Sequence, residues 1–432
     1  MIGVSVSLLS GGSSMKRYIL FLILFGSVGS QAQDTFWTYY DVWCMGNIGQ
    51  WNINTTWIMP TKLFAANAGN ITHVVIFPGT ENVRSDFSPY FTLCQQYSAK
   101  GGATTDSIDF LWNGVNNPRG GYSSWVSDGG IEALRDSLHA KGRKILVCLN
   151  AVNAAAGLNF VLADSARIET FTRAVSGYLD RHDFDGCDLN VENSQTYTNA
   201  QLTQFFRIMK RNLSPGKLLT TVPPVTSWGE YVASIPYLDY VLPQCYNYFF
   251  GWNRMRSCNA AFLIAPLRKT PSCSFFGNNL QDVTSWGPNQ WYNAGFPRNK
   301  IVMLLTTNAM LMRGISAQCE CVGSTAWLAD TAARRMTEFG GTLHWDDAHV
   351  GAYVAGTATH TVSGGGSTIN AGEQFYIPIM ADRNLDSIVT GWAKPQGFMN
   401  FGFFDVALDS RPNEMIKMPR HAYLGSLLRT RR

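Results

Sequence analysis

The residues best suited by type to do chemistry fall in one run, Asp185-Gly186-Cys187-Asp188-Leu189-Asn190-Val191-Glu192. Read as a β-strand, whose side chains alternate between two faces, it sends Asp188, Asn190 and Glu192 one way and Cys187, Leu189 and Val191 the other. Two carboxyls and an amide on one face need partners, water or a substrate, because an uncompensated polar group is costly to bury. A carboxyl whose proton affinity is shifted by such surroundings suits acid–base catalysis. The plainer alternative is a buried charge network that specifies packing, but three in-register polar residues exceed what one ion pair needs. In a closed parallel barrel the polar face would line the interior, with Glu192 at the carboxyl end of the strand, where such barrels carry their active sites.

The run resembles the D-x-x-D-x-D-x-E signature of glycoside hydrolase family 18, the chitinases and their endo-β-N-acetylglucosaminidase relatives. Asp185, Asp188 and Glu192 match, and Asn190 stands where the family has Asp. The resemblance implies Glu192 as the lone proton donor to the leaving oxygen, while the acetamido group of the sugar attacks the anomeric carbon. It implies Asp188 as the neighbouring charge and residue 190 as the group that orients the acetamide N–H. An amide oxygen can still accept that N–H but carries no negative charge, so a slow hydrolase is expected. Its optimum should be more acidic than that of an Asn190→Asp variant, since a like charge beside Glu192 would raise its pKa. Gln244-Cys245-Tyr246-Asn247 resembles the family's tyrosine patch at the end of strand six, which implies that Tyr246 donates to the acetamide oxygen while Gln244 and Asn247 line the mouth. The family's Ser-x-Gly-Gly is represented by Cys148-Leu149-Asn150-Ala151, and its strand-eight tryptophan by Phe401, with Trp392 close by. Asp185 and Trp43 complete the expected substrate-binding set.

Positioning such residues takes eight strands alternating with helices. The strands are expected at Thr35–Val42, Thr72–Pro78, Lys144–Asn150, the acidic run, Lys217–Pro223, Tyr240–Asn247, Lys300–Thr307 and Gly397–Gly402. Helices are expected from Gly130 to Gly142, after a capping Asp164, around Leu202, Phe205 and Met209, at Gln281–Asn293, at Ala326–Phe339 and near Leu385–Trp392. The alternation predicts an α/β chain folded as a (β/α)8 TIM barrel over residues 33–432, with insertions at about 79–128 and 308–384. The stretch from Gly340 to Ile379 reads as strands and a hairpin.

The chain has 432 residues, 46% of them hydrophobic, enough for a large core. A formal charge of +4 is too weak to imply a nucleic-acid partner. Met15 opens a segment with a basic start at Lys16-Arg17, an apolar run from Tyr18 to Val28 and a small-x-small site at Ser30-Gln31-Ala32, which reads as a secretory signal peptide behind an upstream extension. Export to the outside or the periplasm is expected, with no membrane span after cleavage. Of nine cysteines, Cys148, Cys187 and Cys245 sit in apolar runs and read as reduced core residues. The remaining six can pair, Cys258 with Cys273 first among the possibilities. No metal or other cofactor is expected: Cys319-Glu320-Cys321 lacks a second cysteine pair, and His344-Trp345-Asp346-Asp347 reads as solvated surface. Aromatic residues, 13% of the chain, suit stacking on sugar rings. The expected partner is an oligosaccharide or polysaccharide containing N-acetylglucosamine, bound by a monomer. The alternative is a glycan-binding protein descended from such enzymes.

Overall fold

Apolar runs such as Val74-Val75-Ile76, fully buried, form strands covered on both faces, as parallel sheets require. The computed structural model describes residues 34–41, 70–83, 89–91, 130–150, 159, 161–191, 197–224, 227–246, 287–313, 315–316, 320–321, 326–329, 336–347, 350–364, 367–404, 409 and 419–429. Eight parallel strands are present: β1 (Phe36–Asp41), β2 (His73–Val83), β3 (Lys144–Asn150), β4 (Gly186–Asn190), β5 (Leu218–Thr221), β6 (Tyr240–Val241), β7 (Val302–Thr306) and β8 (Asn400–Phe404). They pair in the order β6-β5-β4-β3-β2-β1-β8-β7. Bridges from Val241 to Ile301 and from Gln244 to Leu304 join β6 to β7, giving the expected (β/α)8 barrel. Among the described residues no helix is long and apolar enough to cross a membrane.

The helices start where the sequence supplies caps. Asp164 accepts the N–H groups of Ala166 and Arg167 at the start of α1 (Ser165–Arg181). Thr198 and Gln201 form a reciprocal capping box for α2 (Asn199–Asn212). Gly186 is required by proximity, because a Cβ there would lie 2.2 Å from the Leu218 carbonyl oxygen of β5. At the base of the barrel Trp37 stacks on His73 at 3.9 Å, with Tyr240 edge-on to Trp37. Burial, then the Lys144 charge, push the His73 pKa down to about 3, so this floor is neutral and closed.

Between β7 and β8 the chain leaves the barrel to build an antiparallel five-stranded sheet, in the order 326–329, 308–313, 374–379, 351–357, 341–346. Its own core holds Ala309, Val354, Phe375 and Ile377. The helix expected at Ala326–Phe339 is corrected here: Ala326–Ala329 is a strand paired from Ala326↔Leu311 to Ala329↔Asn308, and Met336–Phe339 is one 3₁₀ turn. Alanine-rich helix propensity is a weak preference that pairing with a neighbouring strand overrides. β2 runs past Pro78 to Val83, and Pro89–Phe91 pairs back on it, so the long segment opens as strand. Most of that segment, the expected targeting segment and the expected pair of Cys258 with Cys273 lie outside the described residues. The helical segment before β8 has a π-helical stretch, Asp386–Ala393, and a 3₁₀ turn, Lys394–Gln396, closed by Gly397 at φ 83, so that β8 begins at Asn400, three residues after the expected start at Gly397. A helix at Pro419–Arg429, not anticipated from the sequence, covers β1 and β8.

Candidate active site

Parity decides what faces the interior. The Asp188 carboxyl of β4 is fully buried and takes hydrogen bonds from the Tyr39 hydroxyl of β1 (2.8 Å) and the Thr220 hydroxyl of β5 (2.5 Å), with the Cys148 thiol of β3 as a third donor. Donors from three other strands converge on it, so the even positions of β4 point inward and Cys187 and Leu189 pack outward. Burial pushes the Asp188 pKa up to about 6 against the pull of its three donors. Burial, then the Asp188 charge, push the Tyr39 hydroxyl well above its ordinary value, so it remains a donor. One step closer to the mouth, Asn190 is 3% exposed, and its Oδ1 has no hydrogen-bond partner among the described residues. A buried amide oxygen left open in this way is rare enough to demand a reason.

An aromatic wall stands at the same end. Phe404, the last residue of β8, lies 5.5 Å from Phe77, 5.7 Å from Tyr39 and 6.3 Å from Tyr246, ring centre to ring centre, and is nearly parallel to Tyr246. Tyr246 is buried, and Gln244, half-buried, holds the bridge to β7. Asp188, Asn190, Tyr246 and Gln244 therefore belong to the inner side or mouth of the barrel. Glu192, Asn247 and Trp43 lie outside the described residues.

Three expected residues are not brought there. Asp185 precedes β4 at the base, where it accepts the Ile145 N–H (2.8 Å), lies 2.9 Å from His139 Nε2 and 3.5 Å from Lys144 Nζ. Phe401 pairs in register with Phe36, and both Phe36 and Phe403 pack on His421 outside the barrel, so alternation turns Phe401 outward. Trp392 stacks on Phe398, upstream of β8 and away from the mouth. The inward aromatic of strand eight is Phe404, two residues on from Gly402, which pairs in register with the inward Trp37. Tyr39 and Thr220 were missed for the same reason: each is an inward residue of a strand whose facing the sequence alone leaves open. Cys148, Cys187 and Cys245 are buried thiols in no disulfide bond, as expected. Among the described residues no group of three or more His, Cys, Asp or Glu is placed to hold a metal ion; in the inserted sheet Asp347 accepts from Trp345 and Arg383.

The family model for glycosyl hydrolases family 18 matches residues 35–363. The immunomodulatory active chitinase TsES1 from Trichuris suis superposes with a TM-score of 0.65 at 14% identity, covering 92% of this chain and 99% of that one. Catalytic domain 2 of the Ostrinia furnacalis Group II chitinase gives 0.68 at 13% identity, covering 93% and 98%. YKL-39, solved in the presence of chitooligosaccharides, gives 0.64 at 12% identity, covering 92% and 100%. No curated relative matches the sequence. These superpositions are evidence of fold, and the match over most of the chain is evidence of descent. The chain belongs to the glycosyl hydrolases of family 18.

Proposed function

We propose that this family-18 protein is an exported, chitinase-like hydrolase that cleaves β-linked N-acetylglucosamine-containing glycans with retention of configuration. The observation that carries the reading is the open Asn190 Oδ1, a buried acceptor suited to an acetamide N–H. In the proposed reaction the acetamido oxygen attacks the anomeric carbon as the glycosidic bond breaks, and the leaving oxygen takes the proton of Glu192. The resulting oxazolinium is opened at the same carbon by water, whose proton returns to Glu192. Tyr246 donates to the acetamide oxygen and Asn190 orients the N–H. Because Asn190 is neutral, the cation lacks one countercharge, which lowers the rate on the order of a hundredfold relative to a carboxylate there.

The test is incubation with chitooligosaccharides and a set of N-glycans, alongside Glu192→Gln. Turnover by the native protein that falls on the order of a thousandfold in the variant supports the hydrolase. Equal binding by both forms with no turnover by either sinks it in favour of a glycan-binding protein, a role favoured by the neutral residue at position 190.

A further inference from the structure

Behind β1, on the side away from the interior, a second buried chain of hydrogen bonds runs from Asp409 through His421 to Thr38. All three residues are at most 1% exposed. The Asp409 carboxylate accepts the N–H groups of Arg420 (3.0 Å) and His421 (2.8 Å) in the first turn of the helix Pro419–Arg429, where the helix end favours an anion. Its Oδ2 also lies 2.7 Å from His421 Nδ1, and since a carboxylate has no proton to give, the ring nitrogen is the donor. Nε2 in turn shares a hydrogen bond with Thr38 Oγ1, 2.7 Å away. The imidazole is held between Phe36 at 5.7 Å and Phe403 at 4.9 Å.

Sealed between barrel and helix, this acid–imidazole–hydroxyl series cannot reach a substrate. What it grips is β1, at the residue before Tyr39. Thr38 leaves one face of the strand towards His421, and Tyr39 leaves the other to donate to Asp188 at 2.8 Å. The Thr38 hydroxyl also lies 3.4 Å from the Tyr39 carbonyl oxygen. We propose that His421 is a positioning residue: by pinning Thr38 it sets the geometry, and with it the strength, of the Tyr39–Asp188 hydrogen bond. The inference rests on Asp188 belonging to the active site, but not on which glycan is cleaved. Among the described residues the titratable groups that interact with Asp188 are Tyr39 on β1, Cys148 on β3, Cys187 on β4 and Tyr231, and Asp409 faces His421.

The test follows the Asp188 carboxyl directly, by carbon NMR of the full chain carrying ¹³C-carboxyl aspartate, its signal assigned by loss in Asp188→Asn. Thr38→Val keeps the shape and removes the hydroxyl, and should raise the Asp188 titration midpoint by about 0.5 pH unit. Tyr39→Phe should raise it further, and adding Thr38→Val to Tyr39→Phe should add nothing, because the affected bond is already gone. Thr38→Ser, which restores the hydroxyl, should return the midpoint to the native value. His421→Gln is read in the same way should Thr38→Val not fold. A midpoint unmoved by losing the hydroxyl, or a shift that adds in full to that of Tyr39→Phe, overturns the proposal. A native protein that turns over no glycan removes the proposed function and leaves this titration readable.

Discussion

The two ends of β4 carry the same kinds of side chain in opposite conditions. At the base, the Asp185 carboxyl is shared among a backbone N–H, a histidine and a lysine, while at the mouth the Asn190 carbonyl, more deeply buried, has no partner among the described residues. Polar groups whose bonding is completed within the fold stabilise it, and a buried group left open is an address for a ligand. Asp188, between them, combines the two: its donors are complete, yet burial holds its pKa near neutrality, where a small change in surroundings alters its charge.

Substitution at the mouth is the severest test of that contrast. Asn190→Ala should cut kcat about a hundredfold on a chitooligosaccharide, as loss of one preorganised polar contact does, with folding stability within about 1 kcal/mol because no internal bond is lost. Denaturant titration beside kinetics separates the two; a large loss of stability would mean that Asn190 has a partner within the fold. The converse change, Asp185→Asn at the base, should destabilise by about 1–2 kcal/mol through the weakened contacts to His139 and Lys144, leaving kcat within about twofold. A kcat collapse in a stable Asp185→Asn protein would return that residue to the substrate and break the comparison.

Element types were largely legible because barrel strands are unbroken apolar runs and the helices carry a cap at Asp164 and an apolar stripe at Leu202, Phe205 and Met209. The facing of β4 was legible too, since only one face of that strand is polar. What sequence could not give was the facing of β8, Asn-Phe-Gly-Phe-Phe, where no polar alternation distinguishes one side from the other, so the resemblance points to Phe401 although the inward ring is Phe404. Asp185 was misplaced for a related reason: a motif reads as one unit, although its first acid sits before the strand begins. The strand at Ala326–Ala329 depends on pairing with Asn308–Arg313, a contact that local propensity does not encode.

The mildest effect belongs to that β8 assignment. Phe404 contributes a ring face beside Tyr246 and Tyr39, and aromatic contacts of this kind contribute roughly 0.5–1.5 kcal/mol beyond the area they cover. Phe404→Leu should therefore raise KM for a chitooligosaccharide about three- to tenfold with kcat little changed, since the reacting groups are untouched. Phe401→Leu, on the outer face, should leave KM alone and cost about 1 kcal/mol of stability, the result of a smaller side chain in a fully buried position. A KM that rises in Phe401→Leu and not in Phe404→Leu would require the opposite facing of β8, and with it a different register against β1. Since that register carries both Tyr39 inward and Thr38 outward, the reversal would also undo the donor arrangement around Asp188.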